Sequence, residues 1–345
     1  MNINKFMKYD FITIGGTTRD ISFFTDQGIL IKNPNPKDVL RQELLAFEYG
    51  AKIKVNNFHY SYGGGSANTA VCLRNFGFQT SCLTTVGDDE NGRKIIDNLE
   101  KRKIKKNLVK VIKKEESGSS FILVAPSGER IIFSQRGSNH RLKIDNQDLK
   151  ELKKSKNVYI ASLAGDWYNN LKKIFTVAKD NGQKVFWNPG MTQLLSGPKK
   201  IGSFIKKVTV LAVNKDEALQ LIHETDIFKE KGEKYFNNSR NLIKELYNLG
   251  PKIAIMTLGS KGVIAYDGKK IYRRNIIKER KRVDTTGIGD IFNSSFAAGY
   301  ILYEGDINKA FDLALKNAAS KVGHLGAQNG LLSLNKNGKL VKSNY

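Results

Sequence analysis

The stretch VDTTGIGDIFNSSFAAG, residues 283–299, decides how the rest of the chain is read. Gly287 and Gly289 form a tight turn, and the small and apolar residues after Asp290 continue as a helix. Such a turn presents unobstructed backbone N–H groups at the positive end of a helix, a ready site for a phosphate or a developing anion. Asp290 falls in the first helical turn beside it. A carboxylate there can take a proton from a substrate hydroxyl while the amides hold the group being transferred. The same residues also fit a plain glycine turn with an acidic side chain at a helix N-terminus, and the stretch alone leaves both readings open.

Outward from this stretch, short apolar runs rich in β-branched residues recur at 11–14, 80–86, 158–162, 184–187, 208–213, 253–258 and 263–266. Helical stretches lie between them, for example 66–76, with Ser66 as N-cap and a stop at Gly77. Strands separated by helices predict a mostly parallel sheet covered on both faces, a three-layer α/β/α fold with ligands at the carboxyl ends of the strands. Two stretches break the rhythm. Residues 21–62 carry Pro34, Pro36 and short extended runs, and GSSFILVAPSGERIIF at 118–133 reads as a hairpin turning at Pro126, Ser127 and Gly128. Together they predict a small β lid inserted into one domain spanning 1–334. Residues 223–240 read as a solvated helix and loop, and 335–345 as a polar, frayed tail.

The 345 residues are 40% hydrophobic and 26% charged, enough for two domains or one large α/β domain with an insertion. Fifty-seven Lys and Arg against 33 Asp and Glu leave a net charge of +24, which brings nucleic acid and anionic membranes into view. The lysines are dispersed over 101–106, 150–156, 199–207 and 269–281, and only the last run adds several arginines (Arg273, Arg274, Arg280). That pattern favours a lysine-rich surface that attracts phosphorylated ligands over a nucleic-acid partner. Cys72 and Cys82 sit in apolar patterns and read as buried thiols of a reducing compartment. No apolar run approaches the ~18 residues of a membrane span, so a soluble cytoplasmic protein is expected. The sequence has neither a G-x-x-x-x-G-K-[ST] loop nor a G-x-G-x-x-G fingerprint, and its four histidines are isolated.

The 284–290 segment resembles the C-terminal signature of the ribokinase or PfkB family of sugar and nucleoside kinases, and other family landmarks follow in order from about residue 11 to 333. The resemblance implies that Asp290 is the catalytic base and that the amides of Gly287, Ile288, Gly289 and Asp290 form an anion hole. Ile288 replaces the family's usual small residue, and its branched side chain is expected to intrude beside the phosphate. GGGSAN at 63–68 resembles the N-terminal signature and implies substrate contacts from Gly64, Gly65 and Asn68. Asp20 matches the family aspartate that accepts from substrate hydroxyls, and Asn139, in RGSN at 136–139, lies in a segment near the substrate pocket. On the nucleotide side, Asn214 and Glu217 fit an Asn-x-x-Glu element, with Glu217 organising the waters of a magnesium ion bound to ATP. Thr257, Gly259 and Gly262 match a nucleotide-binding turn, and Asn317 a helix beside the adenine. Asp284 and Thr286, with carbonyls near Gly326, match the place where many members bind potassium.

The implied protein is an ATP- and magnesium-dependent kinase of a sugar, or of a nucleoside, forming a homodimer through its lid. Two other classes stand beside it. One is a catalytically silent sugar or nucleotide sensor, suggested by Ile288; the other is a nucleic-acid-associated protein, suggested by the charge.

Overall fold

Strand residues that read as unbroken apolar runs divide between two cores. Phe11, Cys82, Tyr159, Phe186, Val210 and Ile255 point to one, while Ile12, Leu83, Val158, Trp187, Leu211 and Met256 point to the other. Successive side chains alternate across a strand, so a run that is apolar at every position needs cover on both faces.

A computed structural model describes residues 7–34, 43–124, 130–278 and 282–343. The strands are β1 (Tyr9–Ile14), β2 (Thr18–Phe24), β3 (Ile29–Lys32), β4 (Glu43–Ala46), β5 (Asn57–Gly63), β6 (Thr80–Gly87), β7 (Val109–Ile112), β8 (Ser119–Val124), β9 (Arg130–Gln135), β10 (Ser155–Ile160), β11 (Lys184–Trp187), β12 (Val210–Asn214), β13 (Ile253–Thr257), β14 (Val263–Tyr266), β15 (Ile271–Arg274), β16 (Leu332–Leu334) and β17 (Leu340–Lys342). The helices are α1 (Gly65–Asn75), α2 (Glu90–Lys101), α3 (Asn146–Leu152), α4 (Trp167–Asp180), α5 (Met191–Leu194), α6 (Gly197–Ile205), α7 (Lys215–His223), α8 (Asp226–Phe236), α9 (Ser239–Asn248), α10 (Ile288–Leu302) and α11 (Ile307–Val322).

Nine strands form the central sheet in the order β15-β14-β13-β12-β11-β10-β1-β6-β7. All neighbours from β13 to β7 run parallel, and β14 and β15 close one edge antiparallel. Helices α1, α2, α10 and α11 cover one face, and α3, α4, α6, α7, α8 and α9 the other. The predicted three-layer α/β/α architecture is present. Its carboxyl edge gathers Gly15, Ala161, Asn214 and Thr257, the last two paired in register.

The lid is a second sheet of order β5-β2-β8-β9, with β3 and β4 as a separate ribbon. Its register places Ser61, Asp20 and Ser120 in one row and Tyr60, Ile21, Phe121 and Phe133 in the next. The first row is buried and the second is largely exposed, so small polar groups face the protein and aromatic ones face outward. The expected turn at Pro126, Ser127 and Gly128 lies outside the described residues.

Three expectations need correction. Ser66 is not an N-cap: Gly64, at φ 87°, caps α1, and the Ser66 hydroxyl instead packs 3.2 Å from Thr13 Oγ1 and 2.8 Å from Cys82 Sγ. The tail is paired rather than frayed up to Ser343, since β17 runs antiparallel to β16 and Leu340 reaches the second core. The 223–240 segment is better packed than its charge suggested, with Phe236 fully buried and stacked on Phe228 at 5.1 Å. Cys72 and Cys82 are free and buried as predicted, and burial pushes both thiols up to about 11.

Candidate active site

The chain enters α10 through Gly287 at φ 70°, a left-handed conformation in which a Cβ would lie 2.5 Å from Ala327 Cβ. That fit accounts for the glycine. The Ile288 N–H closes the turn on Thr285 O at 3.2 Å, whereas among the described residues the N–H groups of Gly287, Gly289 and Asp290 take no protein partner. Three unpaired amides at a helix N-terminus are available to an anion, as the expected hole would require, with Ile288 excepted. The Ile288 side chain, expected to intrude beside the phosphate, is partly buried and packs against the core beneath α10.

Asp290 is held from below by a file of amides. Asn68 Nδ2 donates to Asp290 Oδ2 at 2.8 Å, Gln328 Nε2 to Asn68 Oδ1 at 3.1 Å, and Asn98 Nδ2 to Gln328 Oε1 at 2.9 Å. All three amides are buried. Asn68 thus gives one N–H to Asp290 and its Oδ1 to Gln328, which leaves its second N–H for the substrate contact expected of it. Gln328 and Asn98 carried no sequence signal, because an amide on an amphipathic helix or in a glycine loop looks like any polar residue. Burial pushes the Asp290 carboxyl above the ordinary aspartate range, opposed by the Asn68 hydrogen bond and aided by the charge of Asp20.

Asp20 sits at the root of the lid, almost completely buried, and its Oδ1 has no hydrogen-bond partner among the described residues. Burial raises its pKa against hydrogen bonds from Thr18 and Ser120. An ionisable oxygen left unpaired in such a place is costly unless a ligand hydroxyl completes it. Gly63 and Gly64 let this corner close: a Cβ on Gly63 would lie 2.1 Å from Asp20 Oδ2, and one on Gly64 2.4 Å from Gly16 O. A Cβ on Gly65 would lie 3.4 Å from Asp290 Oδ1, so the start of α1 runs between the two carboxylates. Asn139 contributes by positioning, since its side chain bonds both the N–H and the carbonyl of Thr17, at 3.0 and 2.8 Å. Each end of that amide is thus anchored once to the Thr17 backbone.

On the nucleotide side, Asn214 is the N-cap of α7 and Glu217 its reciprocal partner. Asn214 Oδ1 accepts from Glu217 N, and Glu217 Oε2 from Asn214 N, each at 2.8 Å. The Asn-x-x-Glu spacing is therefore a capping box, a structural reading equally available from sequence. The box leaves Glu217 Oε1 outside it. Burial raises the Glu217 pKa, opposed by its bond to Asn214 and reinforced by the charge of Asp290 across the cleft. Thr257 ends β13 beside Asn214, and Gly259 (φ 59°) and Gly262 (φ 86°) shape the following turn, the first with nothing within 4 Å of an added Cβ and the second against Arg274 O.

Asn317 is not at this site. It is fully buried, donates to Ser295 Oγ at 2.8 Å and accepts from Leu332 N at 2.7 Å, pinning α11 to α10 and β16. Asp284 is buried: its Oδ1 accepts from Thr286 N at 2.7 Å and its Oδ2 from Gly326 N at 2.8 Å. Lys321, one lysine among many in the chain and part of no motif singled out above, lies 0% exposed with Nζ donating to Asp284 O at 2.7 Å and standing 3.5 Å from Asp284 Oδ2. Burial pulls its pKa down to about 8 against the attraction of Asp284. From the lid, Arg130 Nη2 donates to Thr285 O at 3.1 Å.

A carboxylate beside unpaired amides at a helix N-terminus, facing a lid carboxylate across the carboxyl edge of a parallel sheet, is the arrangement of a group-transfer enzyme acting on a hydroxyl. The chain belongs to the pfkB family of carbohydrate kinases, whose profile matches residues 38–334. It is 28% identical over 288 residues to a ribokinase of Dictyostelium discoideum, an alignment covering 81% of this chain and 89% of that one. The fold is similar to that of Arabidopsis thaliana ribokinase complexed with ribose and ATP, with a TM-score of 0.74 at 20% identity, covering 94% of this chain and 96% of that one. It is equally similar to a Burkholderia thailandensis nucleoside kinase in complex with inosine, with a TM-score of 0.75 at 17% identity and 94% of each chain covered.

Proposed function

We propose that this protein transfers the γ-phosphoryl group of ATP to a hydroxymethyl group of a sugar, with Asp290 as the base. The observation that carries the reading is the meeting of three features: the Asp290 carboxylate, the unpaired amides of Gly287, Gly289 and Asp290, and the buried oxygen of Asp20 that has no partner among the described residues. The acceptor hydroxyl gives its proton to Asp290, its oxygen bonds to the γ-phosphorus, and the bond from that phosphorus to the ADP oxygen breaks. The Gly287, Gly289 and Asp290 amides take up charge on the transferring oxygens. Asp20 accepts from another acceptor hydroxyl and holds the sugar in line.

Magnesium fits the nucleotide side. Among the described residues no cluster of three or more His, Cys, Asp or Glu could hold a metal, so an ion would rely on ATP phosphates and on waters ordered by Glu217. It would supply charge neutralisation on those phosphates. Thr257, Gly259 and Gly262 would shape the adenine side of the cleft.

A sugar is favoured because the row facing the site is Ser61, Asp20 and Ser120, all small or acidic, whereas Tyr60, Phe121 and Phe133 in the next row are exposed. A nucleoside is the second reading, supported by the equal likeness to the nucleoside kinase. The outward row of Tyr60, Phe121 and Phe133 supports the lid as the surface through which two copies pair. Among the described residues no helix is long and apolar enough to cross a membrane.

The test is ADP release with Mg-ATP against ribose, fructose, 2-keto-3-deoxygluconate, fructose phosphate, adenosine and other nucleosides. A signal that depends on one sugar supports the proposal; ATP binding with silence across the panel supports the sensor reading. Because Asp290 must be ionised and its pKa is raised, the acid limb of kcat/KM is expected above the ordinary aspartate range. Activity should fall as pH drops through that limb, and a profile flat down to the usual aspartate pKa would rule out Asp290 as the titrating base.

A further inference from the structure

We infer that the ammonium group of Lys321 is this protein's own monovalent cation, fixing the segment that feeds the anion hole and making potassium unnecessary. The segment 283–286 lies between α11 and the start of α10. Val283 N and Asp284 N both donate to Val322 O, at 2.8 and 3.1 Å, and Lys321 holds the Asp284 carbonyl from the neighbouring position. Asp284 in turn fixes Thr286 N and Gly326 N, so one carboxylate ties the loop before α10 to the loop after α11. Only one residue, Gly287, separates this knot from α10.

A fully buried lysine is costly unless its charge is used, and the oxygens of Asp284 use it. A potassium ion at Asp284 and Thr286 would need several of the same oxygens and would meet a like charge already bound to them. The residues present therefore do not fit the ion that the resemblance suggested. Lys321 acts as a positioning residue: it reaches the substrate only through the peptide it holds.

The effect on turnover rests on the kinase reading; the cation preference does not. Both are tested by comparing wild type, Lys321→Ala and Lys321→Met in KCl, NaCl and choline chloride at matched ionic strength. Thermal unfolding is followed in each salt, together with phosphoryl transfer to whichever acceptor the panel identifies. Wild type is expected to unfold at one temperature in all three salts and to turn over at one rate. Lys321→Ala, which vacates the cation position, is expected to unfold earlier in choline and recover selectively in KCl. Its kcat should fall by about 100-fold in choline, as a misplaced transfer site would, and return with potassium. Lys321→Met, which fills the space without charge, should lose activity and resist rescue. Selective stabilisation or activation of wild type by potassium would overturn the inference and needs no variant. So would a Lys321→Ala protein that is impaired equally in every salt. Silence with every acceptor would sink the kinase reading while the unfolding comparison still decides the cation.

Discussion

Asp290→Asn is expected to lower kcat by roughly 10²- to 10⁴-fold, the range general base catalysis supplies, while leaving ATP and acceptor binding within a few-fold of wild type. The substitution keeps the shape of the side chain and can still meet the Asn68 amide that lies 2.8 Å from Oδ2. What it removes is the place for the acceptor proton. The variant should also be slightly more stable than wild type near neutral pH. Burial raises the Asp290 pKa, so the ionised form is the one the fold disfavours, and a neutral amide relieves that cost. Steady-state kinetics beside thermal unfolding check both halves. A variant that turns over like wild type would remove Asp290 from the chemistry.

Asp20→Asn is the second large effect, and it falls on the acceptor alone. A hydrogen bond between a hydroxyl and a buried charged oxygen contributes about 1.5–3 kcal/mol, so the acceptor KM should rise by roughly 10- to 150-fold with the KM for ATP unchanged. The Asp20 oxygen that has no partner among the described residues is the one expected to meet the sugar. Equal changes in both KM values would mean that Asp20 supports the lid as a whole rather than one hydroxyl. The amide keeps the packing against the corner that Gly63 and Gly64 close, which separates recognition from folding.

The layers of the fold were legible in the sequence because strands buried on both faces leave unbroken apolar runs, and those at 184–187 and 263–266 coincide with β11 and β14. The lid was legible as interruption, through Pro34 and Pro36 and the extended run from Gly118. The β7 and β15 strands were missed because edge strands carry mixed residues such as VKVI and IYRR. Asp290 and Asp20, far apart in the sequence, come close enough for the charge of one to bear on the other. The direction of an amide is a different matter: Asn68, Asn139 and Asn317 all fell in motif-like segments, yet each is anchored at both ends inside the protein. Lys321 was hidden among surface lysines in a strongly basic chain, since only the packing of α11 against the 283–286 segment distinguishes it.

The file of amides from Asp290 to Asn98 has a further consequence. A carboxamide has a donor end and an acceptor end, so a row of them has a polarity, and here the ionised Asp290 carboxylate sets it by demanding a donor from Asn68. When Asp290 takes a proton, the demand at that end weakens, and the altered hydrogen bonding is passed from Asn68 to Gln328 and on to α2. The side-chain amide of Asn98, on α2, thus becomes a remote observer of Asp290's protonation, and its nitrogen resonance can serve as a spectator probe of that carboxyl.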